Sequence, residues 1–181
     1  GGNVEIKNSK IFDNHKIVSN GAGGVMTAGS GVSNKSGDLS IQNSVIENSM
    51  VGVRVDSGNI SISGTTFRNN LDSTDQGHGY GIYTYAYDSL NLSNNVFEGN
   101  KRTAHISIAP NFVHSGNVSN DQSNRGFEID GDLSGEVVLS GGDIPYIVGQ
   151  ININDTGKLI VEAGAVLKMN DRFASGAIHV N

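Results

Sequence analysis

The sequence of 181 residues contains no cysteine, no tryptophan and only two prolines. The absence of cysteine excludes a disulfide framework and a thiolate metal site. No stretch of helical length carries apolar residues at a 3.6-residue period, and no apolar run is long enough to span a bilayer. A formal net charge of −6 argues against nucleic acid or an anionic membrane as partner. The sequence therefore predicts an all-β chain without a membrane span.

Asparagine, serine and the 25 glycines are abundant instead, and many of them lie in an eleven-residue pattern that occurs four times. Each copy has two short runs of alternating apolar and polar residues, which predict two short strands. Between the runs lies a residue type that tolerates a left-handed backbone, so we expect a corner there. The copies are VEIKNSKIFDN (4–14), LSIQNSVIENS (39–49), ISISGTTFRNN (60–70) and LNLSNNVFEGN (90–100), with corner residues Asn8, Asn43, Gly64 and Asn94.

The spacing of the copies predicts a solenoid. The copies begin at Val4, Leu39, Ile60 and Leu90, which gives intervals of 35, 21 and 30 residues. The shortest interval holds three short strands and two turns, which is one rung of a parallel β-helix. The longer intervals are the same rung with inserted loops. We expect a single-stranded right-handed parallel β-helix of about seven to eight rungs, each of about 21–22 residues.

The second half keeps this period in a different sequence. Ile129 to Ile151 and Val137 to Leu159 are both 22 residues, and Tyr146 to Leu167 is 21. The polar segment 110–126 between the halves is either a long loop or a disguised rung. We predict a single domain over 1–181, with corner-asparagine rungs over 1–109, an irregular connection over 110–126 and further rungs over 127–181. Because both ends lie inside apparent repeats, we interpret the chain as a piece of a longer protein.

Stacked rungs place equivalent residues about 4.8 Å apart, so the core should consist of columns. Two columns are expected from the first halves of the copies. At the corner, Asn8, Asn43 and Asn94 should form a ladder in which each side-chain amide bonds its neighbours, interrupted by Gly64. The expected columns are Val4, Leu39, Ile60 and Leu90, and Ile6, Ile41, Ile62 and Leu92.

The recurring I-x-I-x-N-x-x-F-x-N pattern, followed by strands that begin Gly-Val or Gly-Ile, resembles the right-handed parallel β-helix (pectate lyase-like) superfamily. The segment GKLIVEAGAVLKM (157–169) is similar to rungs of bacterial secreted β-helix proteins of unassigned role. This resemblance implies the fold and an extracellular or cell-surface setting. It does not imply one activity, because the same rungs serve lyases, glycoside hydrolases, tailspikes, autotransporter passengers and plain stalks.

Functional residues of such a fold should face outward from the strands. Aligning GVMTA (24–28), GVRVD (52–56), GIYTY (81–85) and AHISI (104–108) places Arg54, Tyr83 and His105 on consecutive rungs. These three are the candidate catalytic residues. Exposed tyrosine faces suit sugar rings, and arginine and histidine supply hydrogen bonds and charge. The candidate substrate-binding residues are Arg54, Tyr83, Tyr85, Tyr87 and His78.

Two polar segments are candidates for Ca²⁺, although a soluble turn explains each as well. The loop 69–79 carries Asp72, Asp75 and His78 beside the same outward face. The segment DGDLSGE (130–136) begins like a calcium loop, but Gly141 stands where the bidentate glutamate belongs. No other cofactor is expected.

Two functions remain open. The first is a non-catalytic segment of a secreted or cell-surface bacterial protein, acting as a stalk, an adhesion module or a glycan-contacting module. The second is a polysaccharide lyase or glycoside hydrolase with its site on the outward face. The expected partner is a polysaccharide or surface glycan, and stacked rungs also permit end-to-end or homo-oligomeric association.

Overall fold

The computed structural model describes residues 2–14, 16–19, 25–71, 79–122, 124–142, 144–169 and 177–180, with the backbone alone for 16–19, 25–28 and 124. This part of the chain forms strands and no helix. The strands are β1 (Val4–Lys7), β2 (Lys10–Phe12), β3 (Lys16–Ser19), β4 (Val25–Ala28), β5 (Ser30–Asn34), β6 (Leu39–Gln42), β7 (Val45–Glu47), β8 (Val51–Val55), β9 (Asn59–Ser63), β10 (Thr66–Arg68), β11 (Tyr80–Thr84), β12 (Ser89–Ser93), β13 (Val96–Glu98), β14 (Arg102–Ser107), β15 (Phe112–Ser115), β16 (Val118–Asn120), β17 (Asn124–Leu139), β18 (Tyr146–Val161), β19 (Leu167–Met169) and β20 (Ala177–Val180).

All of these strands except β3 and β4 build three parallel sheets that wrap one core. The first sheet has the order β1-β6-β9-β12-β15, and the second has the order β2-β7-β10-β13-β16. The third sheet runs β5-β8-β11-β14-β17-β18-β19, and β20 pairs with β18 beside it. Successive strands of one sheet come from successive rungs, so the chain winds as a solenoid. The seven stacked strands of the third sheet agree with the predicted seven to eight rungs.

The strand register confirms the repeat in the first half. Val4 pairs with Leu39, Leu39 with Ile60, and Ile60 with Leu90. The second predicted column is likewise in register. Of these eight side chains, the six from the second rung onward are at most 2% exposed. They are Leu39, Ile41, Ile60, Ile62, Leu90 and Leu92.

Aromatic rings fill the core behind the second sheet. Phe67 and Phe97 stack with centroids 5.0 Å apart, and neither is exposed. Glycines of the third sheet make room for them, because a Cβ on Gly52 would lie 2.9 Å from Cδ1 of Phe67 and one on Gly81 would lie 2.7 Å from Cδ1 of Phe97. The Gly-Val and Gly-Ile strand starts are therefore a packing requirement.

The first rung differs from the prediction in its third strand. The segment predicted for this place, Val25–Ala28, is β4, and it pairs antiparallel with β3 as an inserted hairpin. The third strand is β5, in which Val32 pairs with Val53. Two Gly-Val dipeptides, at 24–25 and 31–32, gave two possible alignments, and only the second leaves the hairpin outside the rung.

In the second half, long strands replace the short ones. β17 and β18 have 16 residues each and pair along most of their length. Val137 pairs with Leu159 and Tyr146 with Leu167, as predicted. The predicted match of Ile129 with Ile151 is wrong, since Ile129 pairs with Val148. Register shifts after Ile129 and after Leu133 lengthen the interval along the strand pair, and a bulge of this kind leaves no periodic trace in a sequence.

Segment 110–126 contains a rung. β15 pairs with β12 of the first sheet, and β16 pairs with β13 of the second sheet. Phe112 is buried against Phe127 at a centroid distance of 5.8 Å. Of the two readings of this segment, the structure supports the disguised rung.

The corner residues adopt the left-handed backbone that the sequence predicted. Asn8, Asn43 and Asn94 have φ values of 48°, 48° and 53°, and Gly64 has 57°. This conformation turns the three asparagine side chains outward, where they are exposed. The ladder predicted for them is misplaced, because the buried amide ladders run through other residues.

Two buried ladders flank the second sheet. In the first, Nδ2 of Asn95 donates to Oδ1 of Asn117 at 3.0 Å, one residue after the predicted corner. In the second, Nδ2 of Asn70 donates to Oδ1 of Asn100 at 2.8 Å, and Nδ2 of Asn100 donates to Oδ1 of Asp121 at 2.8 Å. The same side chains cap backbone groups that the corners leave free, as Asn100 Nδ2 does for the Phe67 carbonyl at 2.9 Å.

Candidate functional site

The candidate site is the outward face of the third sheet. Arg54 pairs in register with Tyr83, and Tyr83 pairs with His105. The next strand continues the row, because His105 pairs with Glu128. Neighbouring strands lie about 4.8 Å apart, so these side chains share one continuous surface. The structure thus brings together the three residues that the sequence alignment placed on consecutive rungs.

The aromatic side chains of this face are in contact. The rings of Tyr83 and His105 stack with centroids 4.4 Å apart and an interplanar angle of 10°. Tyr85 lies 4.9 Å from Tyr83 and is 50% exposed. The Arg54 guanidinium lies over Tyr85, with its Cζ 4.6 Å from the ring centroid. Tyr85 and Arg54 form the outer part of the site, and Tyr83 lies half-buried behind them.

His105 has a chain partner at each ring nitrogen. Nδ1 lies 3.2 Å from the Thr84 carbonyl oxygen, and Nε2 lies 3.1 Å from Oδ2 of Asp130. Burial lowers the pKa of His105, but the hydrogen bond and charge of Asp130 and the Thr84 carbonyl outweigh it, so the pKa is raised. An imidazolium donates from both nitrogens, which suits these two acceptors. His105 is thus held by an acceptor at each ring nitrogen, an arrangement that favours its charged form.

A buried layer supports this face. The Tyr80 hydroxyl donates to Oε2 of Glu128 at 2.7 Å and accepts from Nη1 of Arg102 at 2.9 Å. All three residues are less than 9% exposed. Burial, followed by the charge of Glu128, raises the pKa of Tyr80 far above its usual range. The Tyr80 ring meets Tyr83 edge-on at 5.2 Å, so the layer fixes the orientation of the aromatic pair.

Sequence reasoning missed four members of this cluster: Tyr80, Arg102, Glu128 and Asp130. Period-two alternation could have found Glu128 and Asp130, because Phe127 and Ile129, which alternate with them, point into the core. Tyr80 gave no such signal. Gly81 and Ile82 are both buried in succession, which breaks the alternation and puts Tyr80 on the same side as Tyr83.

One predicted member of the site does not belong to the outward face. Tyr87 is only 7% exposed, and its hydroxyl donates to the Ala109 carbonyl oxygen at 3.4 Å. It lies after the end of β11, where strand alternation no longer decides the direction of a side chain. Its placement with Tyr83 and Tyr85 was therefore wrong.

The candidate calcium ligands Asp72 and Asp75, together with His78, lie outside the described residues. Segment 130–136 belongs to β17, so its interpretation as a calcium loop is wrong. Asp132 instead accepts a hydrogen bond from Asn152 at 2.6 Å, and Glu136 pairs with Lys158 at 2.8 Å. Among the described residues, no three acidic or histidine side chains converge as a metal site.

A groove lined by polar side chains lies at the end of the second sheet. Its volume is about 440 Å³, and it is lined by Glu47, Asn48, Arg68, Asn69, Glu98 and Gly99. Glu47 is 6% exposed and forms ion pairs with Lys10 and Arg68. Hydrogen bonds from these two cations lower the pKa of Glu47 and hold it as a carboxylate. The network fastens three successive rungs together at this corner.

Parallel three-sheet winding, register and sequence repeats all indicate one family. Residues 1–163 match the model of the right-handed β-helix region. The chain belongs to the right-handed β-helix family. The right-handed winding of this family agrees with the right-handed solenoid that the sequence predicted. No curated protein and no solved structure matches this β-helix. No helix that could cross a membrane is found in the part of the β-helix that the structure describes.

The outer face of the β-helix offers an aromatic ring, a guanidinium and a histidine ring in contact with one another. Tyr85 presents an aromatic ring to solvent beside a guanidinium, which is an arrangement that stacks on and hydrogen-bonds to a sugar. His105 contributes an imidazole ring that is held in place, because both of its ring nitrogens already face acceptors.

Proposed function

We propose that this β-helix is a non-catalytic segment of a secreted or cell-surface protein and contacts a glycan through the outward face of its third sheet. The observation that carries the proposal is the half-exposed Tyr85 ring, which contacts Arg54 at 4.6 Å and Tyr83 at 4.9 Å. A ring fixed in this way loses little entropy when a sugar stacks on it.

Rigidity of the face supports binding. Tyr83 is fixed on one side by the stacked His105 ring and on its edge by Tyr80. His105 is fixed in turn by Asp130. A surface that is already ordered avoids the cost of immobilising side chains when the ligand arrives.

The state of His105 argues against a catalytic role. A general base needs a free ring nitrogen within hydrogen-bond reach of the proton that it removes. Thr84 and Asp130 occupy both nitrogens, so neither nitrogen is free to accept a proton from a ligand. A histidine paired with an aspartate, as His105 is with Asp130, is also an arrangement that lyases and hydrolases can use, so turnover is measured in the same experiment.

The test is a glycan-array and polysaccharide-turnover screen on the full chain, with Tyr85→Ala, Tyr85→Phe and His105→Gln variants. We expect binding without turnover, weakened roughly tenfold in Tyr85→Ala, equivalent to about 1.4 kcal/mol. Tyr85→Phe keeps the ring and should keep most of the affinity. Val113→Ala is the control, because Val113 is 58% exposed on the first sheet. Turnover that His105→Gln abolishes would establish the enzyme instead, and equal losses in Val113→Ala would assign binding to another surface.

A further inference from the structure

We infer that the outward face of the third sheet selects uncharged glycans over acidic ones. This inference rests on the proposed glycan contact and adds the chemical class of the ligand. It follows from the way in which the charges of this face are paired.

The cation in contact with Tyr85 already has an anion. Nε of Arg54 lies 3.1 Å from Oδ1 of Asp56, two residues along the same chain segment. The guanidinium also covers one face of the Tyr85 ring. A carboxylate of an acidic sugar could pair with Arg54 only beside the Asp56 carboxylate, against like-charge repulsion.

The second cation is engaged in the same way. His105 pairs with Asp130 at 3.1 Å, and its ring lies against Tyr83. The side chain of His105 is 14% exposed, whereas that of Asp130 is 36% exposed. A ligand that approaches this pair therefore meets the carboxylate more readily than the histidine ring.

The third cation lies deeper. Arg102 is 6% exposed, and Nε lies 3.8 Å from Oε1 of Glu128, while Nη1 donates to Tyr80. Breaking a buried pair of this kind leaves an uncompensated charge, which is strongly unfavourable. Arg102 is therefore held by the protein and is not available to an acidic ligand.

With His105 protonated, the three cations and three anions around Tyr83 and Tyr85 balance one another, and with His105 neutral the anions are in excess. The chain as a whole carries a net charge of −6. Selective binding of an acidic polymer needs cations that lack internal partners. A neutral sugar needs none, since its ring stacks on Tyr85 and its hydroxyls can donate to the exposed oxygens of Asp56 and Asp130. Charge balance and ring exposure together point to a neutral glycan.

The test compares neutral polysaccharides (dextran, galactomannan) with acidic ones (polygalacturonate, alginate) of matched length, titrated against the full chain between about 0.01 and 1 M salt. We expect neutral binding that varies little with salt, and acidic binding at least about tenfold weaker. Asp56→Asn removes the partner of Arg54, so it should raise the ratio of acidic to neutral affinity, and salt should cancel this gain. Tyr85→Ala should weaken neutral binding.

Preferential binding of the acidic polymers, falling steeply with salt, would overturn the inference and leave the proposed glycan contact standing. Failure of every polysaccharide to bind would overturn the proposed contact itself. Neutral binding that Tyr85→Ala leaves unchanged would assign the neutral site to another surface and so overturn the inference for this face.

Discussion

The first five rungs and the rungs beyond them belong to the same solenoid but are built from strands of different length. Up to Asn120 each rung has separate short strands joined by corners, and buried amide ladders run along the corners. From Asn124 onward two 16-residue strands bend around the core, with left-handed glycines at Gly131 and Gly135. A parallel solenoid therefore needs stacked strands, but it does not need a ladder. Where ladders exist, they should carry a large share of the local stability.

The largest effect is expected from Asn100→Ala in the second ladder. The change removes Oδ1, which accepts from the backbone N–H of Asn70 at 3.0 Å. It also removes Nδ2, which donates to the buried Phe67 carbonyl oxygen at 2.9 Å. Each orphaned buried group costs about 1–3 kcal/mol, so we expect a loss of about 3 kcal/mol in the free energy of unfolding, measured by urea denaturation.

The matched change in the second half is Asn152→Ala. Asn152 also donates to an aspartate, Asp132, at 2.6 Å, but this contact is on the surface. We expect a change within about 0.5 kcal/mol. Equal losses of stability in Asn100→Ala and Asn152→Ala would contradict the prediction that the buried ladders carry a large share of the local stability.

These outcomes also locate the limit of sequence-based prediction. Leu39, Ile60 and Leu90 were placed correctly, because a buried column imposes the same residue type at a fixed interval. The asparagine ladder was assigned one residue too early, since both neighbours at a corner are polar and only the left-handed φ of Asn94 decides that Asn95 points inward.

Similar reasons explain which residues of the candidate site could be predicted from the sequence and which could not. Arg54, Tyr83 and His105 could be grouped because strand alternation and register follow from the repeat. The partners Arg102 and Glu128 could not be paired, because a register irregularity between Arg102 and Ala104 separates the local alignment from the repeat. Tyr87 was misassigned because it follows the strand.

A second, intermediate effect should come from Gly81→Ala. The new methyl would lie 2.7 Å from Cδ1 of Phe97 and 2.8 Å from the Thr103 carbonyl oxygen, so ring and backbone would both have to shift. We expect a loss of about 2 kcal/mol in thermal or urea unfolding. Gly149→Ala in the second half is the comparison, since its nearest atom is Cβ of Asp130 at 3.1 Å. A larger loss at Gly149 would refute the tighter packing assigned to the cornered rungs.

The smallest effect concerns pH. Burial raises the pKa of Asp121 above its ordinary value of 3.8, although hydrogen bonds from Thr103 and Asn100 lower it. The stability that this group contributes is present below pH 3.8 and is lost as pH rises through its folded pKa. Asp121→Asn should therefore be more stable than the parent at neutral pH, and the difference should vanish in acid. Urea denaturation at a series of pH values measures it.

The complementary variant is Asn117→Asp, at the end of the other ladder. It loses the donor to the Leu92 carbonyl at 2.9 Å and gains a buried acid, so it should be less stable at neutral pH and recover in part in acid. A pH profile of Asp121→Asn that parallels the parent would show that the Asp121 carboxyl does not set this dependence.

The hydrogen bonds of the second ladder, from Asn70 through Asn100 to Asp121, all point in one direction along the solenoid. Each amide nitrogen gives its hydrogen to the oxygen one rung further on, and the final carboxylate can receive but not give. The ladder of side-chain hydrogen bonds therefore ends at Asp121. An extra rung with an asparagine at this position could be inserted before Asp121 and would keep the same order of donors and acceptors. A rung added after Asp121 would receive no hydrogen bond from the Asp121 carboxylate.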